Sequence, residues 1–251
     1  MADGTLDPRL ISETVKLLRK RIQTRFPASG LAGVAEQLCR ITERASATSD
    51  WIARPIWPLR IMVLTLTGII ILGLILTLWT LPLPQGGLEL AQFIQVLESA
   101  INDVVLIVAA VFFLGSIETR IKRERALRSI HELRAIAHVI DMHQLTKDPE
   151  WVLDRGTESA VLPPRSMTAF QLSRYLDYCT EMLAITGKIA ALYIQHFEDS
   201  VALQAVNEVE GLTSGLSSKI GQKLMILYTV HGQNQGRPEK EEPPPGPAMP
   251  D

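Results

Sequence analysis

The chain has 251 residues and a mass of 27.8 kDa, with 47% hydrophobic and 21% charged residues. That balance excludes intrinsic disorder over most of the length, and a net charge of −2 argues against a general nucleic-acid binder. Two cysteines exclude a disulfide scaffold and a four-cysteine zinc site.

Residues 1–50 read as amphipathic helices. Asp7 is placed to cap a first helix, with Pro8 at its first position and Leu6 packing on Ile11. Ile11, Val15, Leu18 and Ile22 form its apolar face, flanked by Lys16, Arg19, Lys20, Arg21 and Arg25, and Pro27 ends it. This basic helix suits packing on other helices better than lying on lipid, because it has no Trp and a narrow apolar stripe. Ser29-Gly30 starts a second helix with the stripe Leu31, Val34, Leu38 and Ile41, and Ala45 to Asp50 reads as a polar linker.

Residues 51–117 read as a transmembrane hairpin, with spans at about 60–82 and 97–117. No charge occurs between Arg60 and Glu89, and Trp57 and Trp79 bracket the first span as interfacial tryptophans do. Its length and its start some sixty residues into the chain argue against a signal peptide. Pro82 to Gly87 is expected to turn the chain. The second apolar run, Val104 to Ile117, is short of a full span, and extension to about Leu97 takes in Glu98, Asn102 and Asp103. A buried helix of a soluble protein is the alternative for this segment. Arg54 and Arg60 precede the hairpin, Arg120, Lys122, Arg123, Arg125 and Arg128 follow it, and the connection carries neither Lys nor Arg. The positive-inside rule therefore puts both termini in the cytoplasm and the turn outside. Cys39 and Cys179 then lie on the reducing side as free thiols.

Residues 118–231 read as a cytoplasmic helical bundle. The second span should continue as one long helix to about Leu145, because no Pro or Gly intervenes, and Asp148-Pro149 stops it. Residues 149–166 read as a connection, Ser166 as the cap of a helix from Met167 to about Phe197, and Val201 to about Val230 as the last helix. Gly211, Gly215 and Gly221 weaken that helix intrinsically. Residues 232–251, polar and rich in proline, read as a disordered tail.

Three polar groups are candidates for a site. His131, Arg134, His138 and Asp141 fall within an arc of roughly 80° on a helix, beside an apolar stripe of Ile130, Leu133, Ala137 and Ile140. His138 and Asp141, three residues apart, make half of a metal site, whereas HELRA at 131–135 lacks the second histidine of a zincin. Arg174, Asp177, Glu181 and Lys188 fall within an arc of about 60° on a later helix. The two ridges are expected to face each other, His131, His138 and Asp141 against Asp177 and Glu181, at the edge of one core. Glu98, Asn102 and Asp103 form the third group, either inside the membrane, where an ionisable residue suggests function, or as a cap at its outer surface. No G-x-G-x-x-G, P-loop, nucleophile elbow or C-x-x-C occurs.

These observations predict an all-α membrane protein, a two-span hairpin with a cytoplasmic bundle built from both flanks. The expected role is a non-enzymatic scaffold or regulatory interaction module in a cell inner membrane. It is expected to be oligomeric, to touch the bilayer, to offer the bundle to a protein partner, and to need no cofactor. An ion-conducting oligomer using Asp103, Asn102 and Glu98 is the alternative, and a metal- or proton-dependent site at the His131–Asp141 ridge is a second.

Overall fold

The first helix, α1 (Pro8–Arg25), begins where the Asp7 carboxylate accepts the Arg9 amide at 2.8 Å, and Pro8 occupies the first turn, where its missing N–H costs nothing. The computed structural model describes residues 5–80, 90–147 and 167–235, and these are all-helical. The remaining helices are α2 (Gly30–Ala53), α3 (Trp57–Thr80), α4 (Leu90–Leu145), α5 (Ala169–Leu192) and α6 (Ser200–Gln235).

The apolar face of α1 is buried as its periodicity predicts, at Ile11, Val15, Leu18 and Ile22. In contrast, Ala45–Asp50 is not a linker. It belongs to α2, which continues to Ala53. Ala45, Ser49 and Ile52 extend the buried stripe of Leu38 and Ile41 at helical spacing. Small residues there let neighbouring helices approach, and the buried Ser49 hydroxyl donates to the Leu192 carbonyl at 2.7 Å. That bond satisfies one of the carbonyls left open at the end of α5. At the other end of α2, the His143 ring occupies the space that a Cβ on Gly30 would need.

The 56 residues of α4 form one unbroken helix, about 84 Å long at 1.5 Å per residue. It starts at Leu90, seven residues ahead of the expected span, so Glu98, Asn102 and Asp103 lie inside the helix and do not cap it. The cap of α5 is Thr168 and not Ser166. Its hydroxyl accepts the Gln171 amide while the Gln171 side chain accepts the Thr168 amide, a reciprocal capping box. The helix after it starts one residue early, at Ser200, and runs to Gln235, past the expected end and into the stretch read as tail. The expected turn at 82–87, the connection at 149–166 and residues 236–251 lie outside the described residues.

Around α5 the bundle closes. Among the described residues α5 packs against α1, α2, α4 and α6, whereas α1 touches only α2 and α5, and α6 touches only α4 and α5. So α1 and α6 cover opposite flanks of the central helix. Leu31, Leu38, Ile41, Leu133, Ile140, Leu172, Leu176 and Met182 are fully buried in the shared core, each contributing roughly 1.5–3 kcal/mol of transfer free energy. At the end away from the hairpin, Phe26 meets Tyr175 edge-on with ring centres 5.5 Å apart.

α3 is different. Among the described residues it packs on α4 alone, and the two helices expose many large apolar side chains. Leu64, Trp79 and Phe112 are 71%, 88% and 79% exposed, values that water does not favour for side chains of this size. Among the described residues two helices are therefore long and apolar enough to cross a membrane, with mean hydropathy 1.9 and 2.3 over their most apolar windows and none of those windows buried in protein.

Candidate functional site

The C-terminal half of α4 turns Ile130, Leu133, Ile136, Ala137 and Ile140 into the core. The polar ridge predicted beside that stripe exists, and its neighbour is α6. Arg134 bonds Glu208 of α6 at 3.2 Å. The Asp141 carboxylate accepts from the Gln144 amide at 2.6 Å, and the Gln144 backbone carbonyl accepts from Lys223 of α6 at 3.2 Å. His131 and His138 are exposed, and among the described residues neither forms an ion pair.

The second ridge lies on the other flank. Glu181 takes a two-pronged bond from Arg21 of α1, at 2.9 and 3.2 Å, and Arg21 also lies over the Tyr178 ring. Asp177 pairs with Arg174 on its own helix at 3.2 Å. The expected face-to-face pairing of His131, His138 and Asp141 with Asp177 and Glu181 is therefore not formed. The physical reason is the position of α1 and α6: each covers one flank of α5, so Arg134 pairs with Glu208 of α6 and Glu181 with Arg21 of α1. Among the described residues no three His, Cys, Asp or Glu side chains converge as a metal site would require, so His138 and Asp141 find no third ligand.

Of the third group, Glu98 and Asn102 share one face of α4 with Ile94, Leu97, Ile101 and Val105, around a shallow groove. Asp103 is on the other side, at roughly 100° from Asn102 and 140° from Glu98. The partly covered residues Ala100, Ile107 and Ala110 mark that side as the one packed on α3. All three polar side chains are exposed.

Two junctions that the sequence did not single out carry the densest electrostatics. At the base of the hairpin, Glu118 on α4 accepts from the Arg60 guanidinium at 3.0 Å, from Lys122 at 3.0 Å and from the Ile56 amide at 3.4 Å. Its side chain is 14% exposed. The Arg60 hydrogen bond, helped by Lys122 and Ile56 and opposed by burial, holds its carboxyl at about 2. The second junction is Asp199, 2% exposed, between α5 and α6. One of its oxygens caps α6 by accepting the Ala202 amide at 2.9 Å, and the other pairs with Arg123 of α4 at 2.7 Å. Burial works against its ionisation, but Arg123 and the amide outweigh it and the carboxyl stays below the usual range. The i, i+4 pair of Glu118 and Lys122 was a usable signal in the sequence. Arg60 and Arg123 could be paired only once the chain was folded.

Between α2 and α4 an open cleft of about 420 Å³ is lined by Arg44, Thr48, Glu124, Arg125, Arg128, Glu132 and Tyr193, among others. Its charges are already matched: Arg44 with Glu132 at 2.8 Å and Arg128 with Glu124 at 3.1 Å, while Arg125 stacks on Trp51 at 4.3 Å. Burial pushes the Tyr193 phenol up to about 12, so it stays a neutral hydrogen-bonding group. Cys179 is likewise pushed up to about 12 by burial, so its thiol is not a poised nucleophile. The arrangement joins helices across the bundle and holds the bundle against the hairpin. Comparison of the chain with protein-family models, with curated proteins and with solved structures gives no match in any of the three.

Proposed function

We propose that the chain is a membrane-anchored helical scaffold or regulatory interaction module, non-enzymatic and oligomeric. In this reading the α3–α4 hairpin crosses a cell inner membrane twice and both termini are cytoplasmic. One observation carries it. Within the single helix α4, residues around 101–113 expose apolar side chains to whatever surrounds them, while Ala126, Ile130, Leu133, Ile136, Ala137 and Ile140 are buried in the helical bundle. A bilayer is the solvent that suits the first half and water the second. Because the helix is continuous, the bundle is rigidly tied to the anchor, and the Glu118 and Asp199 junctions brace the tie. The basic residues Arg54, Arg60, Arg120, Lys122 and Arg123 at the base support the cytoplasmic placement of the bundle.

The ion-conducting reading draws less support. A conduction path would gather Glu98, Asn102 and Asp103 on one side, whereas Asp103 lies on the α3 side of α4 and the other two lie away from it.

The test is extraction and labelling of the full chain in cells. The protein should stay with membranes after alkaline carbonate treatment. A cysteine at Gln85 should react with an impermeant maleimide in intact cells, and one at the exposed Ala47 should react only after permeabilisation. Release by carbonate would remove the membrane anchor from this reading, and labelling at Ala47 in intact cells would invert it. Stoichiometric metal in the purified protein, lost in His138→Ala, would overturn its non-enzymatic part.

A further inference from the structure

Glu98, Asn102, Val105, Ala109, Phe112 and Ser116 follow one another at intervals of four and three residues in strict alternation. On a helix turning about 100° per residue they keep to one seam, within an arc of about 80°. All six are exposed. The seam points away from α3: its centre lies about 170° from that of the partly covered Ala100, Ile107 and Ala110. Among the described residues no helix covers it, since all six side chains are exposed.

Asn102 makes the seam informative. With Ile117 at the inner edge, it stands about 22 Å up a hydrocarbon core of about 30 Å. Lipid tails offer an amide neither donor nor acceptor, and among the described residues the Asn102 side chain has no hydrogen-bond partner. It is the one side-chain amide within the two apolar spans.

We propose that this seam is the docking surface for a second copy of the chain, parallel to the first in the membrane, with the two Asn102 amides hydrogen-bonded to each other. An amide carries both a donor and an acceptor, so it is its own complement across a two-fold axis. A single polar residue at a seam position also selects register, because any slip leaves it unpaired. The neighbours fit. Ala109 permits close approach of the backbones, and Phe112, 79% exposed, supplies area for packing. Glu98 lies about 28 Å up, at the water boundary, where carboxylates from two copies stay solvated. Asp103 is off the seam, so no like charges meet in the hydrocarbon.

The inference rests on the membrane reading above, and the experiment separates the two. The full chain is reconstituted into phosphatidylcholine–phosphatidylglycerol liposomes with single cysteines at Val105, Ala109 or Phe112, and at the flanking Val104 or Leu106. The buried Cys39 and Cys179 remain in place. Mild oxidation should give several-fold more cross-linked dimer at the three seam positions than at the two flanking ones. In unmodified chains labelled for energy transfer, Asn102→Val should weaken association about tenfold, and Asn102→Gln should restore most of it. Cross-linking without periodicity, cross-linking strongest at Val104 or Leu106, or a monomer that floats with the liposomes would each overturn the seam and leave the anchor intact. A chain that fails to float with the liposomes would overturn both.

Discussion

Glu118 shows how one carboxylate can join parts of the chain that are far apart. It ties the α2–α3 junction, through the Ile56 amide and Arg60, to the point where α4 enters the bundle. Its carboxyl is depressed from an ordinary 4.5 to about 2 in the folded state. A depressed carboxylate contributes stability that is present above the unfolded value and is lost as pH falls toward the folded one. The contribution should therefore be complete at pH 7 and decline between about 4.5 and about 2. Glu118→Gln should lower the melting temperature of the solubilised protein at pH 7, and the gap to the unaltered protein should narrow at pH 3. A gap of equal size at both pH values would mean that shape and not charge makes the contribution. Asp199 does two jobs, so its removal should cost more than the loss of either partner. Asp199→Ala is expected to cost about 2–4 kcal/mol, from a lost cap and an Arg123 left without its partner. Asp199→Asn keeps the cap and should cost less. Equal losses in the two variants would show that the ion pair alone matters. The histidines are instructive by contrast. Their helical face was readable from spacing, yet His138 faces no carboxylate, because α1 claims Glu181 through Arg21. His138→Ala should accordingly change stability little, as thermal melting of the solubilised protein would show.

At the scale of the element, α4 decides the architecture. Its length follows from local sequence: between Ser116 and Leu145 no Gly or Pro interrupts it, and the observed helix is unbroken. A proline at position 121 would remove the amide that bonds the Ile117 carbonyl and would collide with that carbonyl. Ile121 itself is 43% exposed, so little packing is lost with its side chain. Ile121→Pro should cost about 3 kcal/mol, seen as a fall of roughly 6–12 °C in Tm. An unchanged Tm would show that bundle and hairpin are not mechanically one. The second half of α2 teaches the opposite lesson. ASATSD at 45–50 has the composition of a linker, and it is helix because Ala45 and Ser49 are small enough to sit against α5. Propensity is a weak guide where tertiary packing rewards small residues. Ser49→Val should destabilise the bundle by about 1–2 kcal/mol, measured by thermal melting, since the Leu192 carbonyl would lose its donor.

For the whole molecule, the sequence alone determined that the chain is helical, that two segments are apolar enough to cross a membrane, and that the second continues without a break. Those properties are local. Hydropathy, helical periodicity and the spacing of Gly and Pro can be read within a window of some twenty residues. They also located the stripes of α1 and α4. Only the tertiary structure decided which faces meet. Arg21 and Glu181 are 160 residues apart, Arg123 and Asp199 are 76, and Arg60 and Glu118 are 58. No periodicity within a helix shows that α1 and α6 cover opposite flanks of α5. For that reason the two polar ridges were legible and their pairing was not. A polar stripe at the edge of a core accepts whichever neighbour lies there, and that neighbour is set by how the helices share one limited interior.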